Sequence, residues 1–284
     1  SEIYGAAGAT IQIDNDVILH ALYKRTVTVS EYTYNNTRSG TKTGTAYADA
    51  KGNITKASIT MDTINSVIAK GMTWNGRGWS TNIGATAGEN FALPGATVSL
   101  SKNTTYYASY TDDIVVDFIM YTNSGSYTKT RRATGYMNYR GTTVESTIIV
   151  PAQETFAEWI GDGFTTSTSA TVNDSDKING TYNTDVSQTL YGLYHRNITL
   201  TYDANGGTPT PNPQTVVQRA NASNIETNRT TPAIIVTSDR PIKTNADFNK
   251  WTVEKDSEAS GSYASGSTLN MTDNITLYAS WIDR

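Results

Sequence analysis

Apolar and polar residues alternate along most of this chain, and one alternating stretch occurs four times. The segments GATIQIDNDVILHALY (8–23), GATVSLSKNTTYYASY (95–110), NGTYNTDVSQTLYGLY (179–194) and GSTLNMTDNITLYASW (266–281) align without a gap. Their last residues, Tyr23, Tyr110, Tyr194 and Trp281, lie 87, 84 and 87 residues apart. In the last segment Ile275, Leu277, Ala279 and Trp281 share one face, and Asn274, Thr276, Tyr278 and Ser280 share the other. That is the period of two expected of a half-buried strand. Four residues after each of the first three aromatics a second apolar-rich strand opens, at Val27, Ile114 and Ile198. A tryptophan recurs between them, at Trp79, Trp159 and Trp251, lying 31, 35 and 30 residues before the closing aromatic. Three landmarks in one order at nearly one spacing define an internal repeat.

The repeat predicts a mainly β chain of tandem modules: 26–112, 113–196 and 197–284, with 1–25 matching the last quarter of a preceding unit. On this reading the chain is a piece of a longer array. A shifted phase, with boundaries elsewhere, fits the same landmarks. Each closing strand carries a small residue two positions before its final aromatic: Ala21, Ala108, Gly192 and Ala279. A small residue flanked by large ones leaves room for a bulky side chain from another strand. The expected occupant is the mid-repeat tryptophan of the same unit. Helical spacing is sparse. DTINSVIAKG (62–71) offers Asp62 as an N-cap, Ile64, Val67 and Ile68 on one face, and Gly71 as a stop. PAQETFAEWI (151–160) places Pro151 in a first turn. Each module is therefore expected to hold at most one short helix.

Composition strengthens the β reading. Of 284 residues 47 are threonine and 18 tyrosine, both of which favour strands, and only 17% are charged, so hydroxyls and amides must build the surface. The net charge of −4 and the absence of basic blocks argue against nucleic acid as a partner. No cysteine is present, which excludes a disulfide framework and a thiolate nucleophile. No apolar run is long enough to cross a membrane.

The third unit resembles the Listeria–Bacteroides repeat, the B-repeat type of module in internalin-like and other bacterial surface proteins. The resemblance rests on the turn Asn205-Gly206-Gly207, on Phe248 three residues before Trp251, and on Thr276-Leu277-Tyr278-Ala279 followed by Trp281. The second unit keeps Phe156 with Trp159 and TLYGLY (189–194) but has no NGG turn. The first keeps TYYASY (105–110), and its Trp79 has no aromatic three residues earlier. The resemblance implies small β-grasp-like modules, mostly antiparallel sheet, strung in an elongated array. It further implies an extracellular place on a bacterial cell surface and a role as stalk or in adhesion.

Candidate chemistry is thin. His20 occupies the slot that holds Tyr107, Tyr191 and Tyr278 in the other segments, and His195 follows Tyr194 in a short link. Neither stands beside a nucleophile, as a catalytic triad requires. Asp112-Asp113 lies in a link between units. Asp174 and Asp176 offer oxygen ligands at alternating positions, but Ile178 and Asn179 break the EF-hand pattern. Lysines and asparagines near acids could form an isopeptide cross-link, although no spacing singles out a pair. The sequence thus predicts no enzyme, no cofactor, no metal site and no catalytic residue. The alternative to a stalk is a module that binds a glycan or a host or matrix protein, through Tyr107, Tyr191 and Tyr278 and through the long loops 41–56 and 128–143.

Overall fold

The computed structural model describes residues 6–13, 15–86, 91–169 and 177–284. The chain forms two compact units, Ser1–Asp112 with Thr134–Val144, and Asp113–Ala133 with Glu145–Arg284. One pattern of strand pairing occurs once in the first unit and twice in the second. A first strand pairs with an antiparallel second strand on one side and with a parallel closing strand on the other. A crossing strand then pairs antiparallel with the outer edge of the closing strand.

In the first unit the four strands are Leu22–Thr33, Thr37–Asp49, the start of Thr104–Thr122, and Met72–Ser80. The parallel contact aligns Val29 with Thr104 and Tyr32 with Tyr107. In the second unit the end of Thr104–Thr122 serves as a first strand, with Val116 opposite Gln188 and Ile119 opposite Tyr191. Its crossing strand is Ile160–Thr165. The third copy opens on the end of Gln188–Asp203, aligned from Leu200 with Ile275 to Asp203 with Tyr278, and its crossing strand is Ala246–Glu254. Each copy adds a two-stranded antiparallel ribbon: Ala57–Thr60 with Thr97–Leu100, Ser146–Ile149 with Thr181–Thr184, and Ala233–Ile235 with Thr268–Asn270.

The same polar contacts recur in each copy. Just before the closing strand a side chain accepts from the N–H of the residue after the first strand's leading apolar position. Asn103 takes the N–H of Thr28, Ser187 that of Val115 and Asn274 that of Thr199, at 2.9, 2.9 and 2.8 Å. The closing aromatic then ties down the far end of the first strand. Tyr110 Oη accepts from the Tyr34 N–H and Tyr194 Oη from the Tyr121 N–H, both at 3.0 Å. In the third copy Trp281 has no acceptor to offer, so its Nε1 donates instead to the Asn205 carbonyl at 3.0 Å.

The small residue of the closing strand sits where its sequence context places it. Trp79 lies opposite Ala108 and Trp251 opposite Ala279, and all four are buried. Leucine at Ala279 would push into the Trp251 ring and is expected to cost about 1–3 kcal/mol by overpacking. Urea unfolding of Ala279→Leu beside the parent measures it, and an unchanged midpoint would refute the contact. In the second copy the occupant is not Trp159. Phe164 stands opposite Gly192, and Phe164 lies 30 residues before Tyr194, matching the spacing of Trp251 to Trp281. Trp159 packs instead with Phe156, Tyr194, Ala220, Ala222 and Ile225.

Both expected helices are absent. Residues 62–66 carry no regular structure, and Val67–Ala69 forms a hairpin with Met72–Ser80. Its two-residue turn, Lys70-Gly71, has positive φ at both positions, the geometry that matches strand twist. Ile64 rests on Gly76, where an added Cβ would lie 2.4 Å from the Ile64 Cβ. In 151–160 the chain turns at Ala157 and Glu158, both at positive φ, between Phe156 and Trp159, which exchange backbone hydrogen bonds of 3.1 and 2.7 Å.

The segment 8–23 also departs from its pattern. Its described residues reach strand only at Leu22, and Ile18 is 82% exposed. A closing strand is held by a first strand on one side and a crossing strand on the other, and among the described residues 8–21 has neither.

Candidate functional site

One position under the first strand differs among the three copies. Glu31 faces Tyr106 in the parallel register, as Phe118 faces Leu190 and Tyr202 faces Leu277. Phe118 and Tyr202 are aromatic core residues, whereas Glu31 is a carboxylic acid with no exposed surface. The residue three positions past the ribbon isoleucine comes to meet this slot. That residue is Asp62, Pro151 or Thr237, following Ile59, Ile148 and Ile234. The Asp62 N–H donates to Glu31 Oε1 at 3.0 Å, and the Thr237 N–H donates to Tyr202 Oη at 2.8 Å. Pro151 has no N–H to satisfy, and there a phenylalanine fills the slot.

The second strand supplies the third member. Lys42 stands opposite Val29, as Gln214 stands opposite Leu200. In the third copy the network is neutral, and Tyr202 donates onward to Gln214 Oε1 at 2.6 Å. In the first copy it is charged. Lys42 Nζ lies 2.6 Å from Asp62 Oδ1 and donates to the Thr60 carbonyl at 2.5 Å. Asp62 is fixed further by its carbonyl, which accepts from Trp79 Nε1 at 2.9 Å. Glu31 Oε2 is buried and no N–H or hydroxyl donates to it. A Cβ built on Gly40 would lie 3.3 Å from Asp62 Oδ2 and 3.7 Å from Glu31 Oε2, so the two carboxyl groups meet over the bare glycine. Burial pushes the Glu31 carboxyl above the ordinary range, and the hydrogen bond from Lys42 holds Asp62 below it. Of the two carboxyls, Glu31 is therefore the one that holds a proton more readily. No part of this trio was visible as a site in the sequence. The available signal was the register that aligns Glu31 with Phe118 and Tyr202.

Residues 199–280 match the Listeria-Bacteroides repeat domain. The match covers the third copy from within its first strand into its closing strand, stopping one residue before Trp281. No curated protein and no solved structure matches the chain.

Beside the repeat domain, His195 Nδ1 lies 2.7 Å from Asp162 Oδ1. Lys177 and Arg219 approach Asp162 Oδ2 at 3.9 and 3.6 Å, so this half-buried carboxylate is shared by three basic side chains. A cleft of about 520 Å³ opens next to it, between Gln153, Phe164 and Asn179. Gln153 is held by the fold at both ends of its amide, accepting from the Gly163 N–H at 2.7 Å and donating to the Leu193 carbonyl at 3.2 Å. The His195–Asp162 hydrogen bond ties the closing strand to the crossing strand. His20 is exposed on the segment without strand and shares nothing with His195.

Tyr107, Tyr191 and Tyr278 are half-buried rather than exposed. Tyr107 stacks with Tyr32 and Tyr139 at centroid distances of 5.8 and 4.7 Å, the cross-strand use of aromatics. Asp174 and Asp176 lie outside the described residues. Among the described residues no three His, Asp or Glu side chains gather as a metal site.

Proposed function

We propose that this chain is a non-enzymatic segment of a bacterial cell-surface protein, built from tandem β-grasp-like modules and acting as a stalk. The observation that carries the reading is strand continuity. Gln188–Asp203 closes the second copy and, without a break, opens the third. The second strand of the third copy, Gln214–Asn221, reaches back along it to pair Asn221 with Leu193 of the second. Ala222 then donates to the Gly192 carbonyl, and Asn221 Nδ2 to that of Ser167, at 2.8 and 3.0 Å. Neighbours joined this way share a strand and a buried surface in place of a flexible linker, which suits a spacer. The β-grasp-like description is supported by the order second–first–closing–crossing, with the inner pair parallel. The surface location is supported by the repeat domain, typical of bacterial surface proteins. Among the described residues no helix is long and apolar enough to cross a membrane.

A second reading, recognition of a glycan or matrix protein, draws on the half-exposed tyrosines that recur on each closing strand. Arrays of glycans and extracellular-matrix proteins probed with the whole chain separate the two. A stalk is expected to bind none of them saturably. Saturable binding that is lost on Tyr107→Ala, Tyr191→Ala or Tyr278→Ala would replace the stalk with an adhesive module.

A further inference from the structure

The trio in the first unit does more than hold the fold. A tyrosine at position 31 would satisfy the Asp62 N–H as Tyr202 satisfies that of Thr237, and a glutamine would do so without a titratable group. The first copy instead buries a carboxyl that no N–H or hydroxyl reaches at Oε2, sets it against the Asp62 carboxyl, and places a lysine amine 2.6 Å from that second carboxylate. We infer that Lys42 and Asp62 form an intramolecular isopeptide bond, with Glu31 relaying protons in the condensation.

The chemistry balances with the groups present. The Lys42 ammonium carries three protons and Asp62 enters as a carboxylate. Nζ surrenders a proton, and its freed electron pair attacks Cγ to form the Nζ–Cγ bond. The Cγ–Oδ2 bond then breaks, and Oδ2 leaves as water. Nζ gives up two protons in all and keeps one as an amide, and the departing water gains two, one of them handed on by Glu31. Glu31 gives its proton toward Oδ2 and recovers one from Nζ, ending as it began. No oxidant, reductant or cofactor is needed.

The placement suits each role. Oδ1, the oxygen nearest Nζ, remains as the amide carbonyl, and Oδ2, the oxygen on the Glu31 side over Gly40, departs. The Thr60 carbonyl holds the amine in place, and Asp62 is fixed through both its N–H and its carbonyl. Such fixed proximity removes much of the entropic barrier to joining two groups. Burial disfavours the charged form of Glu31, the direction that suits an acid.

Mass spectrometry of the whole purified chain, unfolded before injection, tests the bond. The expected mass is below the sequence mass by one water, with a tryptic digest holding a branched peptide that joins Lys42 to Asp62. Lys42→Arg keeps a cation beside Asp62 but cannot form the link, and is expected at its full sequence mass, as is Asp62→Ala. Glu31→Gln keeps an acceptor for the Asp62 N–H and loses the acid, and is expected to stay unlinked. Circular dichroism establishes that each chain is folded. A folded parent chain at full mass, or a water loss that persists in Lys42→Arg, overturns the bond. A link that still forms in Glu31→Gln overturns the relay.

Discussion

Trp251→Ala is expected to lower the stability of the third copy by about 3–5 kcal/mol, the range for deleting a large buried aromatic. Trp251 has no exposed surface and joins all sides of its core. It stands opposite Ala279, its ring centre lies 4.9 Å from that of Tyr202 and 5.3 Å from that of Phe248, and Leu277, Leu269 and Val236 complete the cluster. The opposing alanine cannot grow to fill the hole. Urea titration followed by far-ultraviolet circular dichroism reads the change without relying on the deleted fluorophore. A loss below about 1 kcal/mol, the usual size of a surface change, would mean the ring is not the centre of this core.

Phe164→Ala is expected to cost a similar amount, about 3–5 kcal/mol, because Phe164 holds the same position in the second copy. It is buried opposite Gly192, and its ring meets Phe118 edge-on at 5.0 Å. The first strand of that copy thus rests on it as Tyr202 rests on Trp251. The same titration decides the matter, and a loss below about 1 kcal/mol would leave the slot to Trp159.

These two positions show what the sequence could reveal. The closing strands were legible because their alternation is imposed by burial of one face, and Trp79 and Trp251 followed from the small residues opposite them. Phe164 was hidden because the copies do not share a tryptophan at this place; they share a large ring over the small residue, 30 or 31 residues before the closing aromatic. The helix expected at 62–71 failed for a local reason. Ile64, Val67 and Ile68 have helical spacing, but Lys70-Gly71 folds back as a two-residue turn, and the adjoining strand buries Met72 and Trp74. Residues 8–21 have the right alternation, but among the described residues they lack the neighbours a strand needs, and pattern alone does not supply them. Glu31 was hidden for the opposite reason. It occupies an inward position in a strand of tyrosines and threonines, where a charged residue looks like surface. Only the parallel register shows that its two counterparts are core aromatics.

The parallel inner pair has a mechanical consequence. Tension carried along the chain enters a repeat at the start of its first strand and leaves at the end of its closing strand. In all three copies these strands are direct neighbours running the same way, from Val29 beside Thr104 to Asp203 beside Tyr278. Pulling the two ends drags one strand lengthwise against the other. The backbone bonds between them, with the clamps at Asn103, Ser187 and Asn274, then bear the load together in shear, whereas a hairpin pulled from its open end would lose them one at a time.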